Sequence, residues 1–193
     1  MINQSSPIVS TRMMSSVALI GLLLTIILAP AVRGATPNTT VNSTVSRSAL
    51  PSAQESTVYT IKEAGIQFDI PKGWKAEVDK DNKNVVLSIE GGAVTITFVV
   101  EDQYADVVTG MKDGLKEKLA DLKSDGPAKE DKHNGMVHIA ETGAGMLKDQ
   151  PVGFSIDVLK ATRNVTILTF GITKVMEAHI DEYVKWVGSI KKI

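Results

Sequence analysis

The apolar residues change their period from two to 3.6 within residues 94–122, which read VTITFVVEDQYADVVTGMKDGLKEKLADL. Residues 94–100 alternate apolar side chains with threonines, which is typical of a strand with one buried face. From Tyr104 to Leu122 the apolar residues recur every third or fourth position with charges opposite, which predicts an amphipathic helix. Asp125-Gly-Pro127 is expected to end it, because Gly suits the left-handed cap and Pro cannot continue a helix.

Short strands are predicted on both sides of this stretch, because apolar and polar residues alternate between turn residues. Gly91-Gly92 predicts a two-residue hairpin, since both glycines can adopt positive φ. Residues 165–173 are apolar on both faces, which favours a central strand covered on both sides. The predicted elements are strands at Tyr59–Lys62, Ile66–Ile70, Lys75–Val78, Val85–Glu90, Ala93–Val100, Met136–Thr142, Gly153–Lys160 and Val165–Thr173, and a closing helix at Glu177–Lys191.

These elements predict one α+β domain over residues 58–193. Short connections between strands favour antiparallel pairing, and parallel crossovers are possible only through the two helices. The expected architecture is a mostly antiparallel sheet sandwiched by two helices, an α/β/α arrangement.

The order of elements resembles a known fold. The segment Gly65-Ile-Gln-Phe-Asp-Ile-Pro-Lys-Gly-Trp74, the Gly-Gly hairpin, the amphipathic helix, three strands and a closing helix that ends Val187-Gly-Ser-Ile190 resemble the PsbP-like superfamily over residues 58–193. That superfamily includes PsbP subunits of photosystem II, the Ran-binding Mog import factor and DcrB-like envelope proteins. The resemblance implies a non-enzymatic binding or assembly module. It carries no shared set of functional residues, and this chain lacks the lipobox cysteine of envelope lipoproteins.

Residues 1–34 are predicted to be a signal peptide. Arg12 precedes an apolar run at residues 17–28, which has the length of a signal-peptide core rather than of a membrane span. The alternative is an uncleaved anchor from Met13 to Val32. Residues 35–57 are rich in Ser, Thr and Asn and are predicted to be a flexible linker. Asn-X-Thr/Ser sequons begin at Asn38, Asn42 and Asn164.

Composition excludes several classes of function. Lys and Arg number 21 and Asp and Glu 22, so no basic excess is available to follow a nucleic-acid backbone, and nucleic acid is not an expected partner. The chain has no cysteine, which excludes disulfide scaffolds, thiolate zinc sites and cysteine nucleophiles.

Several residues are candidates for a site, each with a structural alternative. Trp74 could be an exposed recognition aromatic, but packing at a sheet edge is the favoured interpretation. His133, His138 and Glu141 could contribute to a zinc site, although their spacing matches no known zinc pattern, and His179 has no partner nearby in the sequence.

Further patterns are weaker. The run from Asp79 to Asn84, with Glu90 at its twelfth position, resembles a calcium loop but lacks the required glycine, so a solvated turn is favoured. Gly143-Ala-Gly145 is predicted to be a bulge or turn rather than a phosphate loop. Ser189 lies on a helix, outside any nucleophile elbow, and Glu101-Asp102 is expected to cap a helix.

No residue is therefore predicted to be catalytic, to bind a cofactor or to bind a metal. The predicted function is an exported, non-enzymatic interaction or assembly module, periplasmic or secreted, whose partner is a protein or a membrane-associated envelope complex. The alternative is a small-ligand-binding protein or enzyme whose site is assembled from distant residues, for instance between the sheet and the helix from Tyr104 to Leu122.

Overall fold

The computed structural model describes residues 56–78 and 84–193 of the chain. The predicted signal peptide, nearly all of the predicted linker and residues 79–83 of the candidate calcium loop lie outside this part. The strands are β1 Thr57–Ile61, β2 Ile66–Ile70, β3 Lys75–Val78, β4 Val85–Ile89, β5 Val94–Val100, β6 Ala120–Ser124, β7 Lys129–His133, β8 Met136–Leu147, β9 Gln150–Lys160, β10 Asn164–Ile172 and β11 Lys191–Lys192. The helices are α1 Tyr104–Lys118, α2 Thr173–Ala178 and α3 Ile180–Ser189.

The strands form two antiparallel sheets. The larger sheet has the order β3-β4-β5-β10-β9-β8, and β6 and β7 both pair with the outer edge of β8. The smaller sheet has the order β1-β2-β11. The prediction of an α+β fold built on a mostly antiparallel sheet is confirmed.

Strand β10 is central, as its sequence predicts, with β5 and β9 as its neighbours. Its residues Val165 and Ile167 belong to a core that also contains Trp186 of α3. Leu168 and Phe170, of opposite parity, belong to a second core that contains Met111 of α1. Successive side chains of a strand point to opposite faces, so α1 and α3 contribute to cores on different faces of β10.

The predicted helix from Tyr104 to Leu122 is too long. Helix α1 ends at Lys118, and Leu119 has an extended backbone whose N–H donates to the carbonyl of Leu115. Residues 120–124 form β6 against β8, where Gly145 permits a close approach: a Cβ there would lie 3.1 Å from the Ala120 oxygen. Leu119 stays in the core beside α1, which explains why its spacing looked helical.

Two other predicted elements also differ from the structure. The closing helix is divided at His179 into α2 and α3, and it ends at Ser189 rather than Lys191. The hairpin between β4 and β5 does use positive φ at Gly91 and Gly92, 68° and 98°, but Glu90 also has φ of 47° and the turn is longer than two residues. None of the helices in the described residues combines the length and the apolar composition that a membrane span requires.

Candidate binding groove

A groove of about 560 Å³ lies between the larger sheet and helices α2 and α3. Its floor is formed by one face of β8 and β9, and its wall by the two helices. We call this cavity the groove. Its floor residues are Ala140, Thr142, Ala144, Gly153 and Ser155, and its wall includes Met176, Glu177, His179, Ile180 and Tyr183.

Small side chains explain why the groove is concave. Ala144 pairs with Gly153 and Thr142 pairs with Ser155, which places these four residues side by side on one face. Helix α2 packs on β9 and β10, so the face of β8 is uncovered, and Thr142 and Ala144 are exposed. Met176 Sδ would lie 3.2 Å from a Cβ at Gly153, so the missing side chain brings α2 close to the sheet.

Helix α3 presents apolar side chains in two directions. Trp186 is buried in the core, whereas Ile180 and Val184 are 52% and 61% exposed. These two residues are four positions apart and therefore share one face of the helix. Ile180 also lines the groove, so an exposed apolar stripe adjoins the cavity.

The polar end of the groove is formed by Asp157, whose two carboxylate oxygens both have partners. One is 2.8 Å from His138 Nε2, and the other accepts a hydrogen bond from Ser155 Oγ at 2.5 Å. The other imidazole nitrogen of His138 lies 2.8 Å from Asp131. The hydrogen bond to Asp157 raises the pKa of His138, although partial burial opposes the shift. A histidine held between two carboxylates is stabilised as the cation.

Tyr183 adds a second polar group near the floor. Its hydroxyl lies 3.1 Å from Thr169 Oγ1, and burial raises the pKa of Tyr183 to about 12. The phenol therefore remains protonated at physiological pH.

A second network lies at the junction of α2 and α3. His179 Nδ1 is 3.1 Å from Glu182 and its Nε2 is 3.0 Å from Glu90. The pKa of His179 is raised mainly by its hydrogen bond to Glu90 and secondly by its hydrogen bond to Glu182. The pKa of Glu182 is lowered mainly by its hydrogen bond with His179 and secondly by the hydrogen bond from Trp74. Trp74 is 8% exposed and packs on Trp186 with ring centroids 5.7 Å apart, as the packing interpretation predicts.

Comparison with known proteins identifies the fold. No family model and no curated protein matches the chain. The solution structure of cyanobacterial PsbP (CyanoP) from Synechocystis sp. PCC 6803 is similar, with a TM-score of 0.54 and 14% identity, over 76% of this chain and 98% of that one. The domain has a PsbP-like fold.

Two other solved structures are more distant from this PsbP-like domain. PA94 of Pseudomonas aeruginosa, described as a protein of unknown function, has a TM-score of 0.42 and 12% identity over 70% of this chain and 96% of that one. LpqN of Mycobacterium tuberculosis, described as involved in cell envelope biogenesis, has a TM-score of 0.41 and 9% identity over 71% of this chain and 90% of that one. At these identities the comparisons assign no residue a role.

The PsbP-like domain does not assemble the candidate zinc residues. The rings of His133 and His138 are 6.1 Å apart, but Glu141 belongs to the other face of β8, where it pairs with Lys112 of α1 at 2.5 Å. His179 belongs to the separate network with Glu90. Within residues 56–78 and 84–193 no group of three His, Asp or Glu is placed to hold a metal ion.

The remaining candidates have structural roles in the PsbP-like domain. Gly143-Ala-Gly145 lies inside β8 and is not a turn; the register of β6 against this part of β8 shifts between Ala120 and Lys123. The cap predicted at Glu101-Asp102 is not formed; Asp102 instead pairs with Arg163 at 3.0 Å. Ser189 Oγ donates to the Trp186 carbonyl at 2.6 Å, and the amide of Asn164, the third sequon, donates to the Asp102 carbonyl at 2.9 Å.

Sequence reasoning missed the groove entirely. Its signal was a run of small residues at alternate positions in two neighbouring strands, Ala140, Thr142 and Ala144 in β8 and Gly153 and Ser155 in β9. Small residues on one face of adjacent strands leave a space above the sheet, and where no covering helix fills that space a groove remains.

Proposed function

We propose that this chain is an exported, non-enzymatic interaction module whose groove binds an apolar segment of a protein partner. The observation that carries the proposal is the position of the exposed Ile180 and Val184 beside a concave, largely apolar groove. Exposed apolar residues that adjoin a cavity mark interaction sites more often than isolated ones do.

The energetics favour capture of apolar side chains. Complete burial of an Ile or Val side chain contributes about 1.5–3 kcal/mol. Ile180 and Val184 are already held on a helix anchored by Trp186, so little side-chain or backbone ordering opposes their burial. A partner that covers them and fills the groove gains apolar contact without remodelling the fold.

The polar groups near the groove support a binding role rather than catalysis. Ser155 Oγ donates a hydrogen bond to the carboxylate of Asp157 rather than to an imidazole, so the Ser–His pair typical of a serine nucleophile is not formed at Ser155. Asp157 is itself occupied by His138 and Ser155. The hydrogen-bonding groups of Ser155, Asp157 and His138 are therefore satisfied by one another, which is typical of residues that support a binding surface.

The proposal also includes export of the protein from the cytoplasm and an α/β/α arrangement of its domain. Support for an extracytoplasmic location comes from the apolar run at residues 17–28 and its flanks, which have the pattern of a signal peptide. The α/β/α layering is supported by α1 and α3, which contribute to cores on different faces of β10.

A small-ligand-binding role is the second candidate, favoured by the size of the groove. A volume of about 560 Å³ is typical of small-molecule pockets, which measure about 300–1,000 Å³. Such pockets also bring several free polar groups together to orient a ligand. Here Asp157 and Tyr183 are engaged with neighbouring side chains, which favours the protein partner.

The proposal is tested by photocross-linking of the full chain in its own cells. A photoreactive residue is placed at Ile180, at Val184 one turn further along α3, or at Ala76, an exposed control on β3. We expect one discrete protein adduct from Ile180 and Val184, none from Ala76, and loss of the Ile180 adduct when Ala144→Leu fills the groove.

Two results contradict the proposal. Adducts that are equal at all three positions, or that persist in Ala144→Leu, place binding outside the groove. If nondenaturing mass spectrometry instead shows a small-molecule adduct on the purified chain that Ala144→Leu removes, the small-ligand candidate is correct.

A further inference from the structure

The floor of the groove offers no backbone for a bound strand to pair with. Strand β9 occupies one edge of β8 along residues 137–147. On the other edge, β7 pairs with residues 136–140 and β6 with residues 143–146. Between them, the N–H of Asp125 donates to the carbonyl of Thr142 at 2.9 Å.

A segment bound there cannot extend the sheet and must satisfy its own backbone hydrogen bonds. An α-helix does so internally, and an apolar stripe on one helical face is the usual way in which a helix binds a groove. The small, exposed residues Thr142 and Ala144 of β8 leave depth for large apolar side chains of such a helix, while Ile180 and Val184 are spaced to pack along it.

The charges around the groove are mainly negative. Its ionisable lining residues are Asp157, Glu177, His179 and Tyr183, and no Lys or Arg of the described residues lines it. The side chain of Glu177 is exposed and, within the described part of the chain, has no hydrogen bond or ion pair. Beside it, His179 is matched by two carboxylates, Glu90 and Glu182. The rim therefore favours a basic partner and opposes an acidic one.

We infer that the groove receives an amphipathic helix of a partner protein, with Lys or Arg flanking its apolar stripe and placed near Glu177. This inference rests on the proposed function and specifies its partner. The apolar stripe supplies affinity, and the basic flank supplies orientation and selectivity.

The test uses the full chain and two synthetic amphipathic helical peptides that share one apolar stripe and carry either Lys or Glu at the flanking positions. Fluorescence anisotropy measures their Kd. An exposed ion pair contributes about 0.2–1 kcal/mol, and the Glu peptide replaces that attraction with repulsion, so the Lys peptide should bind up to about tenfold tighter at low salt. Added salt should reduce that preference.

Three variants locate the effect. Glu177→Gln should weaken binding of the Lys peptide about two- to fivefold and leave the Glu peptide unaffected or slightly tighter. Ala144→Leu should abolish binding of both peptides because it fills the floor. Ala76→Leu adds the same bulk to an exposed strand position outside the groove and should change neither Kd.

The outcomes separate this inference from the proposed function. Equal affinity for the two peptides would overturn the inference that the partner helix has a basic flank. Failure of both peptides to bind would overturn the inference that the partner segment is a helix. Either result is compatible with groove-specific cross-links, and therefore with the proposed function. Peptide binding that survives Ala144→Leu overturns the groove as the site. A dimer that dissociates in Ala144→Leu, detected by analytical ultracentrifugation, assigns the groove to a second copy of this chain instead. Failure of the cross-links themselves overturns the proposed function.

Discussion

The indole Nε1 of Trp74 donates a hydrogen bond to the carboxylate of Glu182 at 3.2 Å, across 108 positions of sequence. Through the same carboxylate, His179 joins the turn before β3 to the junction of α2 and α3. Glu90, in the turn between β4 and β5, completes the connection. Three separate segments are thus held together beside the wall of the groove.

Replacement of Trp74 should show how much of its contribution is the hydrogen bond and how much is packing. Trp74→Phe keeps an aromatic ring near Trp186 and removes the donor, so a loss of about 0.5–1.5 kcal/mol is expected, with some additional loss of packing. Trp74→Ala should cost about 3–5 kcal/mol, because it also leaves a cavity. Urea unfolding measures both. Equal losses for the two variants would contradict the assigned packing role.

The charge of Glu182 should set the protonation of His179. Glu182→Gln retains an oxygen that can accept from Trp74 but removes a negative charge from the imidazole, so the pKa of His179 should fall. An NMR titration of the ring protons measures this change. Asp181→Asn is the matched control, since Asp181 is exposed, neighbours Glu182 and, within the described residues, has no hydrogen bond or ion pair with His179. A pKa of His179 that changes equally in both variants would contradict the direct contact.

Stability should decrease as the pH rises above the ordinary histidine value. The pKa values of His138 and His179 are both raised above 6.5. A raised folded pKa contributes stability that is complete below 6.5 and disappears as the pH rises through the folded value. Thermal unfolding between about pH 6 and pH 9 should therefore show a falling Tm, and the slope should be smaller in His138→Gln and His179→Gln. A slope that both variants leave unchanged would contradict this assignment.

The sequence predicts most strands because alternation in a half-buried strand is a direct result of its geometry. Strand β7 is missed because it has no buried face and therefore no such alternation. Its residues, Lys129 to His133, are nearly all exposed and charged, as edge strands often are, so no apolar period marks it. The end of α1 is misplaced because Leu119 and Leu122 keep helical spacing after the backbone has become extended.

The groove is harder to predict than the fold. It depends on the strand register that aligns Ala144 with Gly153. It also depends on the division of the closing helix at His179, where the sequence has no Gly or Pro to predict a helix end. Both features arise from long-range pairing and packing. Local propensity carries no information about them.

Glycine in β8 should be required by packing. A Cβ at Gly143 would overlap the Lys123 carbonyl oxygen and lie 2.5 Å from the ring of Phe154, so Gly143→Ala should cost about 1–3 kcal/mol. Gly188, on the surface of α3, has open space around it, and Gly188→Ala should stabilise the domain by up to about 1 kcal/mol. Urea unfolding of the two variants gives the comparison. The same sign for both would contradict the close packing at Gly143.

Asn134 should be the residue that fixes the end of α3 to the sheet. It has φ of 46° in the turn between β7 and β8, and its amide donates to the carbonyls of Ile190 at 2.7 Å and Gly188 at 3.1 Å. Asn134→Gly keeps the backbone conformation and removes both donors, so a loss of about 1–3 kcal/mol is expected. Asn134→Asp tolerates the same φ but places a carboxylate against two carbonyl oxygens, and its loss should be larger. Hydrogen exchange at the end of α3 should accelerate in both variants, and unchanged exchange there would show that contacts other than Asn134 hold the helix end.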